Sequence, residues 1–266
     1  MQIVQTNKMN HRNFNSTTNG ELELYKDLLT KDLIKTHMFV VGAAGEMNTI
    51  EFFPDNGAFL HLFEPRRGHN FSVINSLKHF AETSDFIREG EYDPNCGQIW
   101  ETHIGGNGGA NHRYHQLVSK TVQERIVYNN FALGKENGTH EFYDDCIALH
   151  KRPGSRVQPY QVEIKTVDSY CQENNIEHID FLKLDVEGWE RDVLLGAKAM
   201  LPKTDFVQFE YGGTYPEVGA TLKDVYNILL NWKIYNIEPG RLNLQKAPIE
   251  DFQYTNYFAI NPSKVF

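Results

Sequence analysis

The chain has 266 residues, and a hydrophobic content of 40% is sufficient for the core of one large domain. A formal net charge of −9 argues against a protein that binds nucleic acid or an anionic membrane surface, because phosphate groups are bound by basic faces. The cysteines stand far apart, which suits a reducing compartment and excludes a zinc site built from cysteine pairs. No apolar run reaches the ~20 residues of a membrane span and the first residues lack a signal core, so we expect a soluble, cytoplasmic protein.

The first 37 residues are predicted to form a polar arm and a packing helix. Residues 1–20 are rich in Asn and Thr, and we expect them to be loosely held. A helix is predicted over residues 21–37, because Thr18 and Glu21 have the spacing of a capping box. The apolar stripe of this helix consists of Leu22, Tyr25, Leu29 and Leu33.

A short apolar strand, residues 38–41, runs directly into a glycine turn. Gly42 and Gly45 allow a close approach of the backbone to a ligand. The helix predicted over residues 47–53 offers unpaired N–H groups to an anion. We therefore expect this strand, turn and helix to hold a phosphate or carboxylate group.

A second apolar strand follows and ends in an acid, Glu64, and then Pro65. In folds that bind nucleoside cofactors, an acid at the tip of the second strand, ~20 residues after the glycine turn, binds the ribose hydroxyls. The separation of Gly42 from Glu64 fits that spacing. The turn and the acid together predict a cofactor that contains a nucleoside.

The regular alternation stops after a helix predicted over residues 70–81. Residues 84–120 are rich in Gly, Asn and His, and a loop of this length inside a compact domain is typically functional or disordered. A metal site is one alternative, but no carboxylate or cysteine stands near His112 and His115. We expect a lid over the substrate, with His103 or His115 as a polar contact.

Strands and helices alternate again in the second half of the chain. A third core strand, residues 125–134, ends in small residues against which an adenine ring can lie flat. The other predicted elements are flanking strands at 141–143 and 160–164, a helix at 166–174, a strand at 205–211, a helix at 221–232, and strands at 232–237 and 253–260 that pair as a hairpin-like edge.

The stretch 181–197 carries the strongest chemical signal. An apolar strand that contains Lys183, which we expect to pair with an acid, runs into Asp185 and Glu187, and a helix follows after a glycine. Such a strand brings carboxylates to the edge of the sheet where open α/β folds bind their ligands. The next strand also ends in an acid, Glu210. The alternative is an ordinary strand end whose acids cap the following helix.

Several short motifs occur together in this chain: Val40-Val-Gly-Ala-Ala-Gly45, Phe63-Glu-Pro65, Asn130-Phe-Ala-Leu-Gly134, Asp168, Asp180-Phe-Leu-Lys-Leu-Asp-Val-Glu-Gly188, Glu190 and Gly196-Ala197. In this combination the chain resembles the FkbM family of S-adenosylmethionine-dependent methyltransferases, from about residue 38 to residue 211. The resemblance implies a Rossmann-like α/β fold with a seven-stranded, mostly parallel sheet flanked by helices, in which the last strand is antiparallel.

The resemblance also implies a methyltransferase domain at 38–266, with an inserted lid at 84–120, and S-adenosylmethionine as the cofactor. The glycine turn would hold the methionine part and Glu64 the ribose, while residues 130–133 would border the adenine. The contacts implied are Gly42, Ala43, Ala44, Gly45, Asn48, Glu64, Pro65, Asn130, Ala132, Leu133 and Asp185.

The glycine turn departs from the family pattern, because Val40 stands where an acid is usual and Gly45 comes early. Two alternatives therefore stay open, a non-catalytic S-adenosylmethionine-binding protein and a nicotinamide-dependent oxidoreductase. The lid is also longer than the family resemblance leads us to expect. Asp168 is expected to cap its helix rather than to react.

The implied reaction is methyl transfer to a hydroxyl group of a sugar, glycan or natural product. Such an acceptor needs a base within hydrogen-bond reach. Asp185 is the first candidate, and Glu187 and Glu210 are the second. A histidine of the lid, His103 or His115, is the remaining candidate. Clustered acids also suit Mg²⁺, although nothing in the sequence requires a metal.

Overall fold

The computed structural model describes residues 1–4, 19–43, 49–50, 52–66, 124–144, 148–152 and 154–266. The helix predicted over 70–81 and the lid predicted over 84–120 lie outside the described residues, as do Ala44, Gly45, Asn48, His103, His112 and His115. Of the helix predicted over 47–53, Thr49 and Ile50 are described as helical.

The larger of two sheets has nine strands among the described residues, and seven of them have the arrangement expected from the family resemblance. Its strands are β1 (Gln2–Val4), β2 (His37–Val41), β3 (Phe59–Phe63), β4 (Ile126–Asn129), β8 (Ile179–Leu184), β9 (Thr204–Tyr211), β10 (Lys233–Glu238), β11 (Arg241–Gln245) and β12 (Thr255–Ile260). The seven run in the order β4-β3-β2-β8-β9-β12-β10. The first five are parallel, and β12 is antiparallel to both of its neighbours. The mostly parallel sheet with an antiparallel last strand is thereby confirmed.

The second, smaller sheet corrects the prediction of one strand over residues 125–134. Its strands are β5 (Ala132–Leu133), β6 (Gly138–Phe142) and β7 (Tyr160–Lys165), in the order β5-β7-β6. The chain leaves β4 at Asn130, whose side-chain amide donates to the carbonyl oxygen of Glu64 at 3.1 Å. It then pairs with β7 instead of with β3. The flanking strands predicted at 141–143 and 160–164 are confirmed as β6 and β7.

The helices are shorter than their sequence patterns predict. The structure describes α1 (Glu21–Thr30), α2 (Val167–Glu173), α3 (Glu190–Leu195) and α4 (Leu222–Ile228). The first helix ends at Thr30, so its predicted extent is wrong at the carboxyl end. Its N-cap is Gly20, without a side-chain hydrogen bond, and Thr18 of the predicted capping box lies outside the described residues. By contrast, Thr166 and Thr221 form capping boxes at the starts of α2 and α4.

A local turn ends the first helix, because Asp32 has a φ of +53° and the N–H of Leu33 donates to the carbonyl oxygen of Leu28 at 2.9 Å. A distant carboxylate then holds the segment that follows. Asp180 Oδ2 accepts hydrogen bonds from the backbone N–H groups of Lys35, Thr36 and His37, at 2.5–2.9 Å. These bonds hold the segment before β2 in a non-helical course. Asp180 lies more than 140 positions away along the chain, so local periodicity does not predict these contacts.

The strands at both ends of the chain take positions in the larger sheet that differ from expectation. Gln2–Val4 pairs in parallel with β11, so the first residues of the predicted loose arm belong to the sheet. The strands β10 and β12 do pair, but β12 is inserted between β10 and β9 and is therefore internal. The edge position is taken by β11, which the sequence analysis missed, and by β1 beyond it.

Apolar side chains cover both faces of the larger sheet. The helices α2, α3 and α4 pack on one face, and α1 packs on the other, over Phe181 and Phe206. Since alternate residues of a strand share a face, Asp185 and Glu210 continue the α1 face from those two phenylalanines. The fold thus places both acids at the carboxyl edge of the sheet, on the same side.

Candidate active site

Gly42 lies where the ends of three parallel strands meet. Its φ is +84°, and a Cβ at this position would lie 1.7 Å from the carbonyl oxygen of Asp185. The N–H groups of Gly42 and Ala43 both donate to the carbonyl oxygen of Phe63, at 3.0 and 3.1 Å. Only glycine fits this conformation and this space, so the turn forms a backbone cradle between β3 and β8.

Glu64 is placed at the carboxyl end of β3, next to that cradle. The residue is only 5% exposed, and its Oε1 accepts the backbone N–H of Arg66 at 2.9 Å. Its own N–H donates to the carbonyl oxygen of Asn129 at 3.0 Å. Pro65 follows, and Asn130 is tied to the backbone of Glu64, so these predicted contact residues share one edge.

Ala132 and Leu133 are less directly connected with this edge. Both are buried, Ala132 in the small cluster between the second sheet and its neighbours, and Leu133 in the main core. Their strand pairs with β7 rather than with β4, which separates them from the ladder that carries Glu64.

Asp185 and Glu210 are brought together at the ends of β8 and β9. The two strands are parallel, with Leu184 opposite Phe209, so the next residue on each strand continues the pairing. Burial, the charge of Asp185 and a hydrogen bond to the Asp185 carboxyl raise the pKa of Glu210 well above its ordinary value. At neutral pH the pair therefore holds one proton between its two carboxyl groups.

Glu187 lies two residues from Asp185 but has different partners. It adopts a left-handed conformation, with φ +55°, and Gly188 follows with φ +98°. Its Oε2 accepts from Arg152 Nη2 at 3.0 Å, and Arg152 Nε also donates to Glu217 at 3.1 Å. The turn thus gives Glu187 a guanidinium partner of its own.

Comparison with known proteins identifies the family. Residues 41–236, well over half of the chain, match the Methyltransferase FkbM domain. The chain belongs to the FkbM methyltransferase family. The domain is that of an S-adenosylmethionine-dependent methyltransferase, and the glycine cradle with a following strand-end acid fits that cofactor. Family membership favours the methyltransferase over the oxidoreductase alternative.

Two individual proteins show more limited similarity. A 2-O-methyltransferase, NoeI, from Sinorhizobium fredii (strain NBRC 101917 / NGR234) is 43% identical over 53 residues, which are 20% of this chain and 22% of that protein. The crystal structure of a methyltransferase FkbM from Methylobacillus flagellatus KT aligns with a TM-score of 0.47 and 15% identity, over 85% of this chain and 43% of that one. The aligned segments thus span well under half of each relative's length.

In this FkbM methyltransferase, Glu190 is a buried acid to which the sequence analysis gave no role. It is 1% exposed, and its Oε1 accepts the backbone N–H of Val186 at 2.9 Å. Burial raises its pKa to about 8. This contact stabilises the turn between β8 and α3. The sequence signal that could have identified Glu190 is an acid in the first turn of a predicted helix.

Two other predicted residues have structural partners. The prediction that Asp168 caps its own helix is wrong, because Thr166 is the N-cap. The Asp168 carboxylate instead accepts the N–H groups of Ala199 and Met200 at 2.9 and 3.0 Å. Lys183 pairs with an acid, as predicted, and its Nζ lies 3.3 Å from Glu21 Oε2.

The part of the chain that the structure describes contains one set of grouped metal-type ligands, His178, Asp180 and Asp205. They lie at the amino ends of β8 and β9, at the opposite end from Asp185. Lys264 Nζ lies 3.0 Å from Asp205 Oδ1, so a lysine ammonium group already pairs with one of these carboxylates. Within the described residues, no helix has the length and apolar character to cross a membrane.

Proposed function

We propose that this protein transfers a methyl group from S-adenosylmethionine to a hydroxyl group of a sugar, glycan or natural product. The hydrogen-bonded pair Asp185–Glu210 beside the Gly42 cradle is the observation that carries the proposal, since an alcohol acceptor needs a base next to the methyl donor. Family membership supports the cofactor, and the short match to a 2-O-methyltransferase supports oxygen as the acceptor atom.

For the cofactor, the backbone at Gly42 and Ala43 is the proposed contact of the methionine part. Glu64 is the proposed partner of the ribose hydroxyls, because it is the acid at the end of the second parallel strand of the fold. Asn130 is adjacent to it. When bound, S-adenosylmethionine supplies an electrophilic methyl group on sulfur, and the protein must hold an acceptor oxygen in line with that carbon–sulfur bond.

For the acceptor, we assign the base to Asp185. Its neighbour Glu210 is protonated at neutral pH, so it acts as a hydrogen-bond donor that stabilises the Asp185 carboxylate rather than as a second base. We do not assign the base to Glu187, because its carboxylate is paired with the Arg152 guanidinium. His103 of the predicted lid stays an untested candidate for a further contact to the acceptor.

We infer that methyl transfer does not use Mg²⁺. A divalent ion at this pair would have to displace the proton that the buried Asp185 and Glu210 carboxyl groups hold between them. We therefore expect the same rate of methyl transfer in the presence of a chelator.

Calorimetry separates the proposal from its alternatives. S-adenosylhomocysteine is expected to bind with micromolar affinity and NAD not at all, and binding of NAD alone would overturn the proposal. A mass-shift screen of glycans and small alcohols with S-adenosylmethionine then tests for products that are heavier by one methylene. Cofactor binding combined with the absence of any such product across the screen would favour the non-catalytic alternative.

A further inference from the structure

A buried ionic cluster lies directly behind the Asp185–Glu210 pair, and its central residue comes from the first helix. Glu21, 8% exposed, accepts hydrogen bonds from Asn256 Nδ2 and Gln208 Nε2, both at 2.8 Å. Its Oε2 also lies 3.3 Å from Lys183 Nζ. Both Glu21 and Asn256 lie outside residues 41–236, so the family domain alone does not contain this cluster.

The strand register connects the cluster to the acid pair. Lys183 stands two residues before Asp185, and Gln208 two residues before Glu210, which places each on the same face about 7 Å away along its strand. Asn256 of β12 pairs directly with Glu210 of β9. The cluster and the pair are therefore consecutive layers on one face of the sheet.

Tyr254 connects the two layers. Asn256 Nδ2 donates to the Tyr254 hydroxyl oxygen at 2.9 Å. The Cα atom of Tyr254 lies 3.6 Å from the position of a Cβ on Gly212, just beyond the end of β9. Because its oxygen accepts from Asn256, the phenol acts as a donor only through its own hydrogen. Burial and the nearby charges of Glu210, Glu21 and Asp185 raise the pKa of Tyr254, which keeps it a neutral donor.

We propose that Tyr254 is the residue that orients the acceptor hydroxyl, and that Glu21 and Asn256 are positioning residues that hold it in place. The inference rests on the proposed methyl transfer. The Tyr254 O–H donates to one lone pair of the acceptor oxygen, and the acceptor O–H faces Asp185. As the oxygen forms its bond to the methyl carbon, the carbon–sulfur bond breaks, S-adenosylhomocysteine leaves, and Asp185 takes the proton.

The ionic cluster is not explained by stability alone. Burying Lys183 and Glu21 removes two charges from water, and well-packed apolar residues of similar size are often as stable or more stable. What a carboxylate adds here is direction, because it receives the N–H groups of Asn256 and Gln208 in one fixed arrangement. That arrangement determines where the Asn256 amide meets the Tyr254 oxygen.

The first test is kinetic and uses Tyr254→Phe and Glu21→Gln, with Tyr226→Phe as the control. Tyr226 is a partly buried tyrosine of α4 on the opposite face of the sheet, and its buried hydroxyl has no hydrogen-bond partner among the described residues. Rates are expressed per binding site for S-adenosylhomocysteine, which removes any loss of folded protein. We expect Tyr254→Phe to lower kcat/KM for the acceptor about tenfold with unchanged S-adenosylhomocysteine affinity. Glu21→Gln should have the same effect to a smaller extent, and the control none.

A second readout needs no acceptor. In protein labelled with ¹³C at Asp and Glu carboxyl groups, the first ionisation of the Asp185–Glu210 pair is followed by NMR against pH. Loss of the phenol donor should shift that titration upward in Tyr254→Phe and leave it in place in Tyr226→Phe. Unchanged titration and unchanged kcat/KM in Tyr254→Phe would overturn this inference but leave the proposed function standing. A wild-type protein that binds no S-adenosylhomocysteine would overturn the proposed function itself.

Discussion

The backbone of Asp185 occupies the space that a side chain at Gly42 would need. A Cβ on Gly42 would lie 1.7 Å from the Asp185 carbonyl oxygen, and its φ of +84° disfavours any other residue. The glycine turn and the acid-bearing strand are therefore in direct contact at this point. A change in one must displace the other.

Gly42→Ala is accordingly expected to lower the free energy of unfolding by about 3 kcal/mol or more and to abolish binding of S-adenosylhomocysteine. Chemical denaturation and calorimetry measure the two effects. Gly57→Ala is the matched control, because Gly57 also has a positive φ, +94°, but no atom lies within 4 Å of its Cβ position. Its cost should be about 1 kcal/mol, with normal binding. Equal effects at the two sites would contradict the close packing.

The two acids of the pair should respond differently to amide substitution. Asp185→Asn removes the proposed base, so turnover should fall by at least about 100-fold while the affinity for S-adenosylhomocysteine is retained. Glu210→Gln replaces a protonated carboxyl with a neutral amide of the same shape that still donates to Asp185, so most of the activity should remain. Methyl transfer to an acceptor from the screen is the measurement. Asp185→Asn with wild-type activity would refute the assignment of the base.

The protonated state of Glu210 also predicts a dependence of stability on alkaline pH. Burial and the neighbouring Asp185 raise the pKa of Glu210 above its ordinary value of 4.5, so the folded state retains a proton that the unfolded chain releases. The associated stability is complete below pH 4.5 and declines as the pH rises above that value. Each pH unit over which the folded state holds one proton more than the unfolded chain costs about 1.4 kcal/mol. The free energy of unfolding of wild type and Glu210→Gln is measured by denaturation at pH 6 and pH 8. It should decline less in the variant, and parallel declines would contradict the protonated state of Glu210.

A buried histidine acts in the opposite pH direction. His61 is 4% exposed, and its ring nitrogens contact the Tyr170 hydroxyl at 2.8 Å and His37 Nδ1 at 3.0 Å. Burial and the neighbouring His37 lower its pKa to about 3. The folded state therefore holds His61 neutral, and the resulting stability is present above pH 6.5 and is lost as the pH falls toward 3.

At pH 5 this loss should amount to roughly 2 kcal/mol relative to pH 7.5. His61→Asn keeps a polar side chain but does not titrate, so it should be less stable than wild type at pH 7.5 and lose less stability on acidification. Urea denaturation at the two pH values is the measurement. His140→Asn, at a partly exposed histidine of β6, is the control and should leave the acid dependence of wild type unchanged.

Much of the site was predictable because its residues signal their position locally. Gly42, Glu64 and Asp185 each directly follow a short apolar strand, and parallel strands deliver the residues at their carboxyl ends to a common edge. The family resemblance extended the same reasoning to the antiparallel last strand. Local patterns failed where a distant group decided the course of the chain. Asp180 holds residues 35–37 in the approach to β2, and β7 pairs with the second half of the strand predicted over 125–134.

The sequence by itself determined which strands end in glycine or acid, and hence that Gly42, Glu64 and Asp185 share one edge of a parallel sheet. Only the tertiary structure decided the chemical state of those acids. The proton on Glu210 depends on burial and on its distance from Asp185, which no spacing along the chain specifies. The same holds for Glu21 and Tyr254, which are more than 230 positions apart and are connected through the side-chain amide of Asn256. Burial and electrostatic coupling are properties of three-dimensional proximity, and they set the reactivity of groups that the sequence can only name.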